Sequence, residues 1–165
     1  MRLRSALLCL LLASRHGSAL VAQSAAAPQG ETTTVKVFLL ALEDDGRSGK
    51  KIGCNDSAVA VARTVPRTTA PLSAAIRELV TLRVRTYGQS GLYNALYQSS
   101  LMVDRVAIVN GVAEIHLSGT FRSGGACDNP RIEAQIKETA FQFPTVKSAS
   151  IFINDTPLER LLSGR

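Results

Sequence analysis

The 165 residues include two histidines and three cysteines, the side chains on which nucleophilic and metal-assisted chemistry most often depends. His116 lies in the stretch Val112–Leu117, in which apolar and polar residues alternate. This period of two places His116 beside Glu114 on a strand face that we expect to be solvated. No Gly-x-Ser-x-Gly or other nucleophile signature occurs in the sequence, so the pattern predicts a surface histidine without a catalytic role.

Metal and phosphate sites are equally poorly supported. Glu43, Asp44 and Asp45 form a carboxylate run, but the run lacks the alternating ligand spacing of a calcium loop. Gly124 and Gly125 are not followed by the Lys-Ser/Thr pair of a phosphate-binding loop. The sequence therefore predicts no catalytic residue, no cofactor and no metal site. A pair of carboxylates that meets only in the folded chain stays open as the basis of a hydrolase.

A long predicted loop, residues 83–98, is the strongest candidate for a binding surface. It contains every tyrosine of the chain, at positions Tyr87, Tyr93 and Tyr97. The two later tyrosines are four residues apart, a spacing that places both on one helical face, so we expect them to hold the loop to the core. Tyrosine and arginine combine large contact areas with polar groups, as recognition sites require. We therefore predict a binding surface formed by Arg83, Arg85 and an exposed Tyr87.

The N-terminal residues have the layout of a secretory signal peptide. Two arginines precede an apolar run at residues 6–13, and small residues follow as far as Ala27. The run is too short to span a bilayer, which needs about 20 residues, and Cys9 lies inside it, where a lipoprotein cysteine would not. We expect residues 1–26 to be a signal peptide cleaved between Ala19 and Ala27. The protein is then exported to the periplasm, cell envelope or medium, with no transmembrane segment in the mature chain.

Removal of this leader changes the charge balance. The count of basic residues falls from 19 by three to 16, against 13 acidic ones, which leaves a net charge of +3. The remaining basic residues are scattered, with no run longer than Lys50–Lys51. Because nucleic-acid binding needs a concentrated basic patch, we expect no nucleic-acid partner.

Two cysteines remain in the mature chain, Cys54 and Cys127, each in a polar loop sequence. An exported chain meets oxidising conditions, so we predict a disulfide between them. It would close a loop of about 74 residues, for which the chain-entropy model gives roughly 4 kcal/mol. The alternative is two free thiols, or a reactive Cys127 near the start of a helix.

Alternating element types predict an α+β domain with two layers, a mostly antiparallel sheet with two helices packed on one face. Strands are predicted at 35–42, 58–65, 101–109, 112–117 and 148–153, and helices at 70–82 and 129–141. Asn110-Gly111 predicts a type I′ hairpin turn between the third and fourth strands. We expect a flexible linker at 27–33, the folded domain at 34–156, and a tail at 157–165 with a short helix at 158–162.

The order of these patterns resembles the GerM-type domain, the sporulation and spore germination (GerMN) domain family. The matching stretches cover nearly all of residues 34–156 and read VKVFLLA, RTVP, AIRELV, GLYNALYQSS, VDRVAIVNGVAEIHLSG and RIEAQIKETAFQFPTVKSASIFIND. The resemblance implies an exported, non-catalytic domain of the bacterial cell envelope.

Two function classes follow from these observations. The first is a binding or assembly module whose partner is an unknown envelope protein or cell-wall component. The second is a small hydrolase of envelope polymer that uses an unidentified carboxylate pair. A carboxylate pair in a cleft of the folded domain would favour the hydrolase.

Overall fold

The computed structural model describes residues 30–164, so the predicted signal peptide and its cleavage sites lie outside the described residues. Within this range the chain forms nine strands and three helices. The strands are β1 (Thr32–Ala41), β2 (Lys50–Lys51), β3 (Ser57–Pro66), β4 (Thr86–Tyr87), β5 (Leu92–Tyr93), β6 (Ser100–Val109), β7 (Val112–Thr120), β8 (Ser148–Ile153) and β9 (Thr156–Pro157). The helices are α1 (Pro71–Thr81), α2 (Asp128–Phe141) and α3 (Leu158–Ser163).

The strands form two sheets. The first has the order β2-β3-β1-β5-β4 and is antiparallel throughout, and the second has the order β6-β7-β8-β9 with β7 and β8 parallel. The α+β class predicted from the sequence is confirmed. The division into two sheets and the two-residue strands differ from the single sheet that we expected, whereas α3 lies where the short C-terminal helix was predicted. A two-residue strand is too short for its hydrophobic period to be visible in the sequence.

The central hairpin has the predicted turn. Asn110 and Gly111 adopt φ values of 51° and 82°, the left-handed conformation that a type I′ turn requires at both positions. β6 and β7 pair from Val109↔Val112 to Ser100↔Thr120, with a bulge between Val103 and Arg105. The turn is therefore encoded locally.

α1 and α2 bury their apolar faces in one core that both sheets share. Pro71 occupies the first turn of α1, where its missing N–H is not needed. α2 begins at Asp128, one residue before the predicted start, with Cys127 at its cap position. The Asn129 side chain donates to the Leu162 carbonyl oxygen at 2.8 Å and so joins α2 to α3.

The edge of β1 that faces α2 is covered by polar side chains. The main-chain N–H of Phe38 donates to Thr139 Oγ1 at 3.1 Å, and its carbonyl accepts from Gln135 Nε2 at 3.1 Å. The Gln142 amide bonds the N–H and the carbonyl of Lys36 at 2.8 and 2.7 Å. Residues 135, 139 and 142 form one stripe because they are separated by four and three positions. This stripe takes the place of a neighbouring strand.

The ordered chain extends beyond the predicted domain limits at both ends. β1 begins at Thr32, inside the predicted linker, and α3 occupies most of the predicted tail. Leu158 and Leu162 of α3 are buried, so the helix belongs to the core. Among residues 30–164, no helix is long and apolar enough to cross a membrane.

Candidate functional site

Arg83, the first predicted binding residue, lies against the edge of the second sheet. Its guanidinium donates to the carbonyl oxygens of Ser99 and Leu101, the latter at 3.5 Å. β6 pairs with β7 on its other side, so Leu101 belongs to an edge strand and Ser99 immediately precedes that strand. Arg83 therefore covers the start of this edge, which is a structural task that the sequence did not reveal.

Tyr87 is half-buried instead of exposed, which corrects our expectation. Its hydroxyl accepts a hydrogen bond from Arg63 Nη1 at 3.0 Å, and Arg63 Nε also bonds Glu78 at 3.0 Å. The hydrogen bonds to Tyr87 and Glu78 raise the pKa of Arg63 above its ordinary value despite partial burial. The tyrosine thus ties β4 to β3 and α1 by way of one arginine.

Of the three predicted binding residues, Arg85 is the one whose side chain remains available for a ligand. The residue is exposed, and its guanidinium carbon lies 5.8 Å from the ring centroids of both Tyr93 and Tyr97. Tyr93 is only 8% exposed and Tyr97 is half-buried, as their spacing predicts. In the part of the chain that the structure describes, Arg85 forms no ion pair with a carboxylate. The aromatic rings orient its charge without neutralising it.

Next to Arg85, a buried network surrounds Arg131 of α2. Arg131 Nε lies 2.6 Å from Asp56 Oδ2, and its Nη1 lies 3.2 Å from Asp128 Oδ1. Asp128 also accepts hydrogen bonds from the Tyr93 hydroxyl at 3.0 Å and the Gly124 N–H at 3.1 Å. Both carboxylates are buried, Asp56 completely. The network therefore holds two negative charges against one positive charge.

These contacts raise the pKa values of Tyr93 and Arg131. Burial, the hydrogen bond to Asp128 and the charge of Asp128 together raise the pKa of Tyr93 to about 12. Burial lowers the pKa of Arg131, but the bonds to Asp56 and Asp128 outweigh this effect, and the net change is upward. Near neutral pH, Tyr93 is therefore a protonated donor and Arg131 is fully charged.

The predicted disulfide lies at the same place. Cys54 and Cys127 are bonded, with their Cα atoms 5.8 Å apart. The bond joins the 3₁₀ turn Gly53–Asn55 to the residue before α2, and the Arg131–Asp56 ion pair joins the same two segments. The backbone of Cys54 has φ 61°, so the turn holds this residue in a left-handed conformation. A covalent bond and an ion pair thus fix the amino-terminal end of α2.

A pocket of about 250 Å³ opens beside this end of α2. We name it the Arg85 pocket; its wall includes Leu42, Arg85, Tyr93, Gly125, Ala126 and Asp128. Asp128, Leu42 and the glycine loop were not predicted as site residues. They meet Arg85 only because β1, β5 and the loop before α2 come together in space, and no local sequence signal marks that meeting.

The remaining candidates have structural explanations. His116 and Glu114 share the outer face of β7, as predicted; the imidazole stacks on Phe152 with centroids 4.7 Å apart and bonds Arg105 at 3.0 Å. Asp44 accepts hydrogen bonds from Ser57 and Ser48, and these bonds lower its pKa to about 2. Across residues 30–164, no group of three or more His, Cys, Asp or Glu side chains could hold a metal ion.

Comparison with known proteins decides the family. Residues 37–159 match the Germane family model, described as sporulation and spore germination. The chain belongs to this family. The resemblance seen in the sequence is therefore confirmed. No curated protein matches this sequence with significant similarity.

A solved structure of tandem GerMN domains shows the same fold. The tandem GerMN domains of the sporulation protein GerM from Bacillus subtilis match with a TM-score of 0.54 and 18% identity, over 76% of this chain and 40% of that chain. The first GerMN domain of GerM from Bacillus subtilis matches with a TM-score of 0.49 and 18% identity, over 77% of this chain and 86% of that chain. This chain thus spans less than half of the tandem structure. At such low identity the likeness concerns the fold, and no site residue is carried over from it.

Proposed function

We propose that this chain is an exported binding module of the cell envelope without catalytic activity, and that the Arg85 pocket is its binding surface. The observation that carries the proposal is the state of Arg85. Its guanidinium lines an open pocket and forms no ion pair within residues 30–164, whereas Arg131, which also lines the pocket, is engaged by two carboxylates. A charge held in place by aromatic rings but left without a counter-ion is suited to a ligand.

The contacts of the two nearby carboxylates favour binding over hydrolysis. Asp56 and Asp128 meet in the folded chain, as a carboxylate pair for glycoside hydrolysis would have to do. Arg131 lies between them and donates to both at 2.6 and 3.2 Å. A general acid and base require one carboxyl group that is free to give up a proton and another that activates water. These two carboxylates are occupied in holding α2 to the turn before β3.

The sequence and the disulfide support export. The N-terminal pattern is that of a secretory leader, and a disulfide between loops is typical of oxidising compartments. N-terminal sequencing of the protein from its native host should find a first residue between Leu20 and Ala27. An intact Met1 in a cytosolic fraction would contradict the proposed compartment.

Binding is tested by capture of envelope components on the exported protein. We expect Arg85→Ala to reduce the captured material strongly while the melting temperature is retained. Arg77→Ala is the matched control, since Arg77 is also an exposed arginine but lies on α1, outside the Arg85 pocket. Equal capture by both variants would contradict the pocket as the binding surface. Hydrolysis of peptidoglycan by the purified protein would contradict the non-catalytic role.

A further inference from the structure

We propose that the Arg85 pocket binds the terminal carboxylate of a peptide. The inference rests on the proposed function and names the ligand class for the same pocket. It is carried by the charge balance of the pocket, by the shape of its walls and by the orientation of Arg85.

The charged side chains of the wall favour a ligand with a single negative charge, since Arg85 and Arg131 line the pocket together with one acid, Asp128. Arg85 contributes one positive charge that no carboxylate of residues 30–164 offsets by an ion pair. The acid in the wall, Asp128, already accepts bonds from Tyr93, Gly124 and Arg131. Its negative charge remains close and would repel a dianion such as phosphate more strongly than a monoanion. A carboxylate therefore suits the pocket better than a phosphate group.

The shape of the walls favours a chain end. Gly124 and Gly125 form an exposed rim without side chains, and a Cβ atom built at Gly125 would meet nothing within 4 Å. Leu42, which is 46% exposed, contributes an apolar side chain to the wall of the pocket. A volume of about 250 Å³ holds one small residue and its carboxylate, and not a folded surface. The last side chain of a peptide would contact Leu42 while its carboxylate meets Arg85.

The orientation of Arg85 supplies the recognition. Two tyrosine rings hold the guanidinium carbon at 5.8 Å from each centroid, which restricts the side chain before any ligand arrives. A planar guanidinium forms two parallel hydrogen bonds with a carboxylate, which a lysine ammonium does not. Because the arginine is already oriented, less conformational entropy is lost on binding.

The test uses three probes and the ¹H–¹⁵N spectrum of the exported protein. The probes are N-acetyl-trialanine with a free carboxylate, the same peptide as its C-terminal amide, and inorganic phosphate. We expect the free acid to shift the amide signals of Gly124 to Cys127, and the C-terminal amide to bind at least about tenfold more weakly, which corresponds to about 1.4 kcal/mol. Phosphate should bind more weakly than the acid.

Variants separate recognition from folding. Arg85→Ala should weaken the free acid at least about tenfold, Arg85→Lys should restore part of the affinity, and Arg77→Ala should leave it unchanged. Ala126→Phe, which places a ring at the wall of the pocket, should also block the peptide. An unchanged melting temperature in each variant shows that the fold is intact.

Three results would overturn the carboxylate assignment: equal binding of acid and amide, full affinity in Arg85→Ala, or phosphate binding without peptide binding. The proposed function is judged separately. If Arg85→Ala loses the envelope capture but the free acid never binds, the carboxylate assignment is wrong and the binding surface stands. If the acid binds but capture does not depend on Arg85, the proposed binding surface is wrong and the carboxylate site stands.

Discussion

The two halves of α2 use polar side chains in opposite ways. In the carboxyl-terminal half, Gln135 and Thr139 are completely buried, and each bonds the main chain of Phe38. At the amino-terminal end, Arg131 is paired with two carboxylates, yet Arg85 beside it lines an open pocket and forms no ion pair within residues 30–164. In the first region each of these buried polar groups has a hydrogen-bond partner. In the second region one arginine has no carboxylate partner among residues 30–164.

This difference distinguishes the polar groups that the fold requires from the residue that we propose for binding. A buried polar group without a partner costs about 1–3 kcal/mol, so the stripe on α2 has to be complete for the fold to be stable. An exposed arginine without a counter-ion costs little, because water solvates it. Folding therefore explains the polar groups along β1, but it does not explain Arg85. The following changes test this division, from the largest expected effect to the smallest.

The disulfide at the amino-terminal end should have the largest effect. Cys54→Ser combined with Cys127→Ser removes a bond between residues 73 positions apart, and we expect the free energy of unfolding to fall by about 4 kcal/mol. Denaturant unfolding of the oxidised protein and the double variant measures this difference. Chemical reduction of the unchanged protein should reproduce it, and equal stability with and without the bond would contradict the prediction.

Gln135→Ala should have the next largest effect. It leaves the Ala95 N–H and the Phe38 carbonyl without their partner in a buried region, so we expect a loss of about 3 kcal/mol. Gln142→Ala is the control: Gln142 bonds the exposed main chain of Lys36, where water replaces the lost bonds, and about 1 kcal/mol should be lost. Similar losses of stability in the two variants would show that the cost of removing a side chain of this stripe does not depend on its burial.

Tyr93 should make the stability sensitive to alkali. The pKa of Tyr93 is raised from 10.0 to about 12, so the unfolded chain gives up this proton first. Its contribution to stability is complete below pH 10 and is lost as the pH rises towards 12. Thermal melts at increasing pH measure the loss. In Tyr93→Phe, the part of the pH dependence of the melting temperature that comes from Tyr93 should be absent. An unchanged pH profile in that variant would contradict the assignment to Tyr93.

The smallest effect on stability is expected at Arg85. Arg85→Ala should change the free energy of unfolding by less than about 0.5 kcal/mol, since the residue is exposed and has no ion pair within residues 30–164. Arg83→Ala, two positions earlier, should cost about 1–2 kcal/mol because it uncovers the carbonyls of Ser99 and Leu101 at the start of β6. If Arg85 proves as important for stability as Arg83, the division between scaffold and site is wrong.

Local sequence signals determined much of the fold. Asn110-Gly111 specifies a hairpin through the φ values that these two residues tolerate, and the spacing of apolar residues predicted α1 within one residue at each end. The two cysteines of the mature chain also allowed the disulfide to be predicted. In each case the decisive information lies in neighbouring residues or in residue counts, which a sequence displays directly.

Tertiary structure alone decided the sheets and the site. Arg83 and Arg85 look equivalent in the sequence, but β6 lies beside one and two tyrosine rings lie beside the other. Asp56 and Arg131 are 75 positions apart, and neither was predicted as a site residue. Their ion pair forms because α2 packs beside the turn before β3. Contacts of this kind depend on how helices and strands pack against one another in three dimensions. Hydrophobic periodicity and turn residues are local patterns, so they do not predict that packing.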